Sequence, residues 1–119
     1  ENAVFCLEGE TVDASEIGEY LHYAVSFRNT GTTAAPFVVL RSELDGNSFD
    51  LSSIQVVSAT SPVTTQITGN VLELIFEDLN LQPGAEGDVL LRMKSNPNLQ
   101  PGDTVVYGTS VYLDYDTMV

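Results

Sequence analysis

The stretch Leu21-His22-Tyr23-Ala24-Val25-Ser26-Phe27-Arg28 decides the fold. Its large apolar side chains fall on every second residue, with small or polar ones between them. A strand turns successive side chains to opposite faces, so Leu21, Tyr23, Val25 and Phe27 share a dry face. His22, Ala24, Ser26 and Arg28 share the wet one. The same period recurs outward along the chain. Residues 35–42 are β-branched and aromatic, with Pro36 fit for a strand's first residue. Ile54–Val57 and Thr64–Ile67 read as short strands, and residues 71–76 as a largely buried one. Residues 88–94 set Val89, Leu91 and Met93 against Asp88, Leu90, Arg92 and Lys94. Residues 104–115 set Val105, Tyr107, Thr109, Val111, Leu113 and Tyr115 against a wetter set.

The punctuation between these runs suits β-structure. Asn29-Thr30-Gly31-Thr32 separates the first two long strands and reads as a hairpin turn, since Asn and Gly tolerate positive φ. Gly69-Asn70 is a second turn signal. Leu-Gln-Pro-Gly occurs twice, at 81–84 and 99–102, and Pro followed by Gly marks a type II turn at each. Residues 13–20, interrupted by Gly18, read as a loop or a single helical turn, and residues 1–12 as an edge strand or the end of a linker. About seven short strands with turns every 8–12 residues predict an all-β, antiparallel sandwich in which each sheet has one dry and one wet face.

Composition narrows the function. At 119 residues the chain is expected to be one domain, spanning 1–119. Seventeen Asp and Glu against four Lys and Arg give a net charge of −13, which repels phosphate backbones and anionic lipid. Nucleic acid is therefore not an expected partner. No apolar run reaches the length of a membrane span, so membrane insertion is not expected either. Cys6, the only cysteine, excludes an intrachain disulfide and thiolate zinc sites, and its apolar setting Val4-Phe5-Cys6-Leu7 reads as core. His22, the only histidine, falls on the wet parity as a solvated strand residue. No nucleophile elbow, phosphate-binding Gly loop or His-Glu-x-x-His pattern accompanies it. Lys94 is the only lysine. The expectation is that the chain is not an enzyme.

The segment Gly18-Glu19-Tyr20-Leu21-His22-Tyr23-Ala24-Val25-Ser26-Phe27-Arg28-Asn29-Thr30-Gly31-Thr32 resembles the opening of the bacterial conserved-repeat Ig-like domain. Leu44-Asp45, Asp50-Leu51-Ser52, Ile75–Leu81 and Val111–Tyr115 follow in the family's order, so the likeness spans about residues 8–119. The resemblance is strongest to members near the C-terminus of type IX-secreted surface proteins. It implies an Ig-like sandwich without assigned activity, at the cell surface or outside the cell. This chain departs from the family pattern at Tyr107, Thr109 and Asp116, where Asn, Ala and Asn are usual. It starts at Glu1 and stops at Val119, which reads as a module excised from a larger protein.

Candidate sites are few. Asp45-Gly46-Asn47-Ser48-Phe49-Asp50 offers oxygen ligands from Asp45, Asn47 and Asp50, the candidates for calcium; it lacks the other ligands and the terminal Glu of an EF-hand loop. Solvating acid is the alternative reading there, as for Glu77, Asp78 and Asn80 and for Asp114 and Asp116. No cofactor is expected. A glycan-binding face would need exposed coplanar aromatics; the chain has no Trp, and among its five tyrosines only Tyr20 and Tyr112 fall on outward parity. Thr104 and Thr117, each in an Asp-Thr-apolar tripeptide, match the O-glycosylation sites that the resemblance implies. The sequence thus predicts an extracellular spacer or presentation module, monomeric when isolated, whose partners are neighbouring domains of the same polypeptide. The alternative is a glycan- or protein-binding adhesion module, with calcium as a stabiliser.

Overall fold

The computed structural model describes residues 2–113 and 117–118, with side chains as far as Ser110. The chain forms two stacked antiparallel sheets, and its only helical element among the described residues is a 3-10 turn at Ala14–Glu16. The strands are β1 (Asn2–Cys6), β2 (Tyr20–Arg28), β3 (Val38–Glu43), β4 (Phe49–Ala59) and β5 (Thr64–Thr68). They continue with β6 (Val71–Phe76), β7 (Glu86–Ser95), β8 (Ser110–Leu113) and β9 (Thr117–Met118). One sheet runs β1-β2-β7-β4 and the other β5-β6-β3-β8-β9.

The alternation read from residues 21–28 is realised in full: Leu21, Tyr23, Val25 and Phe27 are buried and their neighbours are not. They meet Val89, Leu91 and Met93 of β7 on the same sheet. Val38 and Leu40 of β3 and Leu72, Leu74 and Phe76 of β6 face them from the other sheet. Each such side chain contributes about 1.5–3 kcal/mol by leaving water. Phe27 packs 5.0 Å from Phe76, ring centre to ring centre. Its ring also lies over Gly87, its register partner, where any side chain would overlap it. Cys6 is buried in this core, as expected; burial pushes its thiol above the ordinary value.

The expected sandwich forms, with nine strands among the described residues. Several expectations are corrected. Asn29–Thr32 is not a hairpin turn, because β2 and β3 belong to different sheets. It is an arch carrying the chain across the core, and Asn29 is wholly buried within it. The Asn29 side-chain amide donates to the carbonyls of Thr33 (2.8 Å) and Leu81 (2.9 Å), while its oxygen accepts the Gly31 N–H (2.9 Å). The rest of the arch, Thr30–Thr33, is exposed, so the buried Asn29 amide bonds one carbonyl at the surface of the arch and one, that of Leu81, inside it. The short strand expected at 54–57 is the middle of an eleven-residue β4, whose register against β7 breaks twice, between Asp50 and Gln55 and between Val56 and Ser58. The single long strand expected over 104–115 is divided. Thr104 forms a bridge to Thr11, an irregular stretch follows, and β8 begins at Ser110.

The turns obey their chemistry. Gly84 and Gly102 take φ +79 and +93, and the amides of Ala85 and Asp103 close the turns onto the carbonyls of Gln82 and Gln100. These are the type II turns expected of the repeated tetrapeptide. Gly69, at φ +61, occupies the first central position of the β5–β6 hairpin, as a II′ turn requires.

Candidate functional site

Pairing of β7 with β2 and β4 assembles the outer face of the four-stranded sheet in rows. The first row reads Tyr20, Lys94, Asp50, and the second His22, Arg92, Gln55. The third reads Phe5, Ala24, Leu90, Ser58, and the fourth brings Ala3 and Ser26 beside Asp88. At the far end Arg28 faces Glu86, with 4.0 Å between their charged groups. The face therefore has a cationic end, an apolar middle and an acidic end. A hollow of about 380 Å³ lies along the middle, lined by Ala24, Leu90, Ser58 and Thr60 among others.

The cationic end is built from fixed parts. The Arg92 guanidinium stands 4.2 Å from the centre of the Tyr20 ring and the Lys94 ammonium 5.3 Å from it, both within cation–π range. Nε and Nη2 of Arg92 donate to Gln55 Oε1 at 2.9 and 2.7 Å. The Lys94 amide donates to Ser53 Oγ at 2.7 Å, tying β4 to β7 at this row. Ser95, fully buried, accepts the Gly18 N–H and donates to the Glu16 carbonyl, both at 2.8 Å, so the chain entering Tyr20 is held as well. Among the described residues, neither Arg92 nor Lys94 has a carboxylate within ion-pair distance.

His22, expected as a freely solvated residue, is instead gripped by Glu8. Its backbone N–H donates to Glu8 Oε1 and its Nδ1 lies 2.7 Å from Oε2, which places a hydrogen on Nδ1 because a carboxylate only accepts. Partial burial pushes the Glu8 carboxyl upward, but the hydrogen bonds and attraction from His22 outweigh it, and its titration lies below the ordinary value. The contact fastens the end of β1 to β2 and turns the imidazole toward Glu8. Among the described residues no hydroxyl is bonded to it. Beneath β1, the Tyr23 hydroxyl donates to the Val105 carbonyl (2.5 Å), and the Tyr107 hydroxyl is buried with no partner among the described residues. Burial drives both phenols far above their ordinary range.

The structure puts Asp45, Asn47 and Asp50 in and just after the β3–β4 loop, where the two carboxylates accept hydrogen bonds from residues two or three positions on. Asp45 accepts the Asn47 N–H at 2.8 Å and the Ser48 hydroxyl at 3.4 Å. Asp50 accepts the Ser52 hydroxyl at 2.6 Å and its N–H at 3.1 Å. Among the described residues no three His, Cys, Asp or Glu side chains converge as a metal would need. Glu77, Asp78 and Asn80 are exposed beyond β6, and Thr104 is exposed beside Thr11. Asp114, Tyr115 and Asp116, and the side chains of Val111, Tyr112, Leu113 and Thr117, lie outside the described residues.

Arg92, Gln55 and Glu8 were not singled out from the sequence, although its alternation sets Arg92 and Lys94 on one wet parity and His22 on another. What it could not supply is the neighbourhood of two runs some seventy residues apart.

This arrangement defines an Ig-like β-sandwich with one furnished sheet face. The chain belongs to the family described as a domain of unknown function, DUF7619, whose model matches residues 1–119. No curated protein sequence matches it. Among solved structures it is similar to carbohydrate-binding module CBM3b from the cellulosomal cellobiohydrolase 9A of Clostridium thermocellum. That likeness has 14% identity and a TM-score of 0.56, covering 100% of this chain and 94% of that one. It is also similar to the chitin-binding domain of Chi18aC from Streptomyces coelicolor, at 16% identity and a TM-score of 0.51, covering 92% of this chain and 90% of that one. Likeness at this identity establishes the shared sandwich fold. No helix among the described residues is long and apolar enough to cross a membrane.

Proposed function

We propose that this chain is a non-catalytic binding module of a larger secreted or cell-surface protein, and that it holds a polysaccharide on the outer face of its four-stranded sheet. The observation that carries this reading is the composition of that face. A chain with net charge −13 would be expected to solvate it with acid throughout. Instead it places Tyr20, His22, Arg92, Gln55 and Lys94 at one end, with Asp50 as the one acid in those rows, and Phe5, Ala24 and Leu90 in the middle. The two similar structures are a carbohydrate-binding module and a chitin-binding domain, which supports a glycan as ligand. The resemblance to conserved-repeat domains of type IX-secreted proteins supports the extracellular setting.

Affinity electrophoresis and pull-down against a panel of neutral and acidic polysaccharides test the proposal. Retention by at least one polymer, largely lost in Tyr20→Ala, is expected; a panel with no retention overturns it. The spacer reading is favoured by the elongated outline, 45 × 24 × 21 Å. It predicts that an inert linker of equal length can replace the module without loss of the parent protein's surface attachment.

A further inference from the structure

We infer that the ligand is a mostly neutral glycan carrying isolated carboxylates, and that Arg92 and Lys94 hold one such carboxylate; the inference rests on the binding reading above and specifies its ligand. Three features of the face argue for it. First, the Tyr20 ring is no open platform for a neutral sugar, because the Arg92 guanidinium stands over it at 4.2 Å. The ring instead orders two cations side by side, and stacking leaves the edge of a guanidinium free to hydrogen-bond.

Second, among the described residues these cations form no ion pair, in a chain where acids outnumber bases seventeen to four. Of the acids on this face, Asp50 lies across from Lys94 in the register but forms no ion pair with it. Glu8 is held by His22, Asp50 accepts from Ser52, and Glu86 faces Arg28 at the far end. Arg92 spends two donors on the neutral oxygen of Gln55, which fixes the guanidinium without cancelling its charge. A carboxylate arriving here gains charge-assisted hydrogen bonds and displaces no internal salt bridge.

Third, the rest of the face sets the spacing of charge on the ligand. Along β7, Lys94 and Asp88 are about 20 Å apart at the rise of a strand. A polymer with a carboxylate on every sugar, laid along β7, would meet Asp88 and Glu86 as well as the surrounding net charge of −13. A neutral stretch beyond the first carboxylate crosses Ala24, Leu90 and Phe5 instead, and Phe5 is 64% exposed. Repulsion from distant acids fades beyond about 8 Å at physiological salt, so the contact with Arg92 and Lys94 prevails locally.

The test is titration calorimetry with three polymers: a glucuronoxylan with sparse uronic acids, the same polymer after carboxyl reduction, and polygalacturonate. The glucuronoxylan is expected to bind, and the other two to bind at least roughly tenfold more weakly. Lys94→Gln and Arg92→Gln are each expected to weaken glucuronoxylan about tenfold. Arg41→Gln, which removes the same charge from an exposed site on the opposite sheet, is expected to leave it unchanged. Equal binding of the carboxyl-reduced polymer overturns this inference while leaving polysaccharide binding in place. So does an Arg41→Gln loss as large as that of Lys94→Gln, since net charge alone would then be responsible. Failure of all three polymers together with a wider neutral panel overturns the binding reading itself.

Discussion

Two polar loops of this molecule make the same kinds of hydrogen bond to opposite effect. The arch at Asn29 and the loop at Asp45 each use one short side chain to satisfy backbone groups of its own segment. Asn29 also reaches the carbonyl of Leu81, 52 residues away, and does so with no exposure to water. Asp45 stays within three residues of itself and is exposed. When a bond at the surface breaks, water replaces the lost partner. When the Asn29–Leu81 bond breaks, nothing does, and the buried Asn29 amide and Leu81 carbonyl bear the desolvation cost. Burial, rather than the number of bonds, sets the worth of a polar side chain here.

Substitutions can break or sharpen that contrast. Asn29→Asp is expected to have the largest effect: the buried, isosteric carboxylate points an acceptor at the carbonyls of Thr33 and Leu81, the second of them buried, and stability should fall by about 3–5 kcal/mol. Asn29→Ala should cost about 2–4 kcal/mol. Urea denaturation with an unchanged m-value would measure both. A loss below 1 kcal/mol for Asn29→Ala would break the comparison. Next comes Gly84→Ala, set against Gly46→Ala. The Gly84 amide donates to the Asn29 carbonyl from a residue at φ +79, so a side chain there should cost about 1–2 kcal/mol. Gly46, in the Asp45 loop, has open space around it and no such φ, and Gly46→Ala should be neutral in thermal melts.

Glu8 lies between the two cases, half-buried and bonded to His22. Glu8→Gln should cost about 1 kcal/mol at neutral pH. Its pH dependence is more informative. The folded carboxyl titrates below the ordinary 4.5, so just under that pH the unfolded chain binds more protons than the folded one. Stability contributed by Glu8 is complete above 4.5 and drains away as the pH falls through the lower folded value. Melting temperatures measured from pH 6 to pH 2.5 should show a shallower acid limb in Glu8→Gln; an unchanged limb would remove Glu8 from the account. The smallest effect is expected at Asp45, where Asp45→Ala should cost about 0.5–1 kcal/mol. Calcium at millimolar concentration should leave the melting midpoint where it was, because the Asp45 and Asp50 carboxylates accept hydrogen bonds from residues two or three positions on; a rise would mean selective binding to the folded state.

The contrast also explains how far the sequence could be read. Alternation at 21–28, 71–76 and 88–94 made the core face of each sheet legible, and a II′ or type II turn betrays itself through Gly. The arch escaped, because Asn-Thr-Gly-Thr carries the same local preferences whether its strands pair or part. Only the partners of β2 and β3, which lie at β7 and β6, decide between the two. The division of residues 104–115 escaped for a related reason: the parity of Val105 and Tyr107 is kept through an irregular stretch, so the periodicity overran the strand. The cationic end of the face was half legible. Arg92 and Lys94 share one parity and Tyr20 falls on outward parity, yet their meeting depends on a register no local pattern encodes.

The uneven margins of the two sheets bear on how such modules behave when crowded. At β4 the broken register offers an incoming ribbon no even row of donors and acceptors, so lateral growth stalls there. At β5 the row Thr64–Thr68 is regular, uncharged and exposed throughout. Stickiness in a dense array should therefore be directional, beginning along that threonine-rich border, and one lysine set into it would be the economical way to keep a concentrated preparation clear.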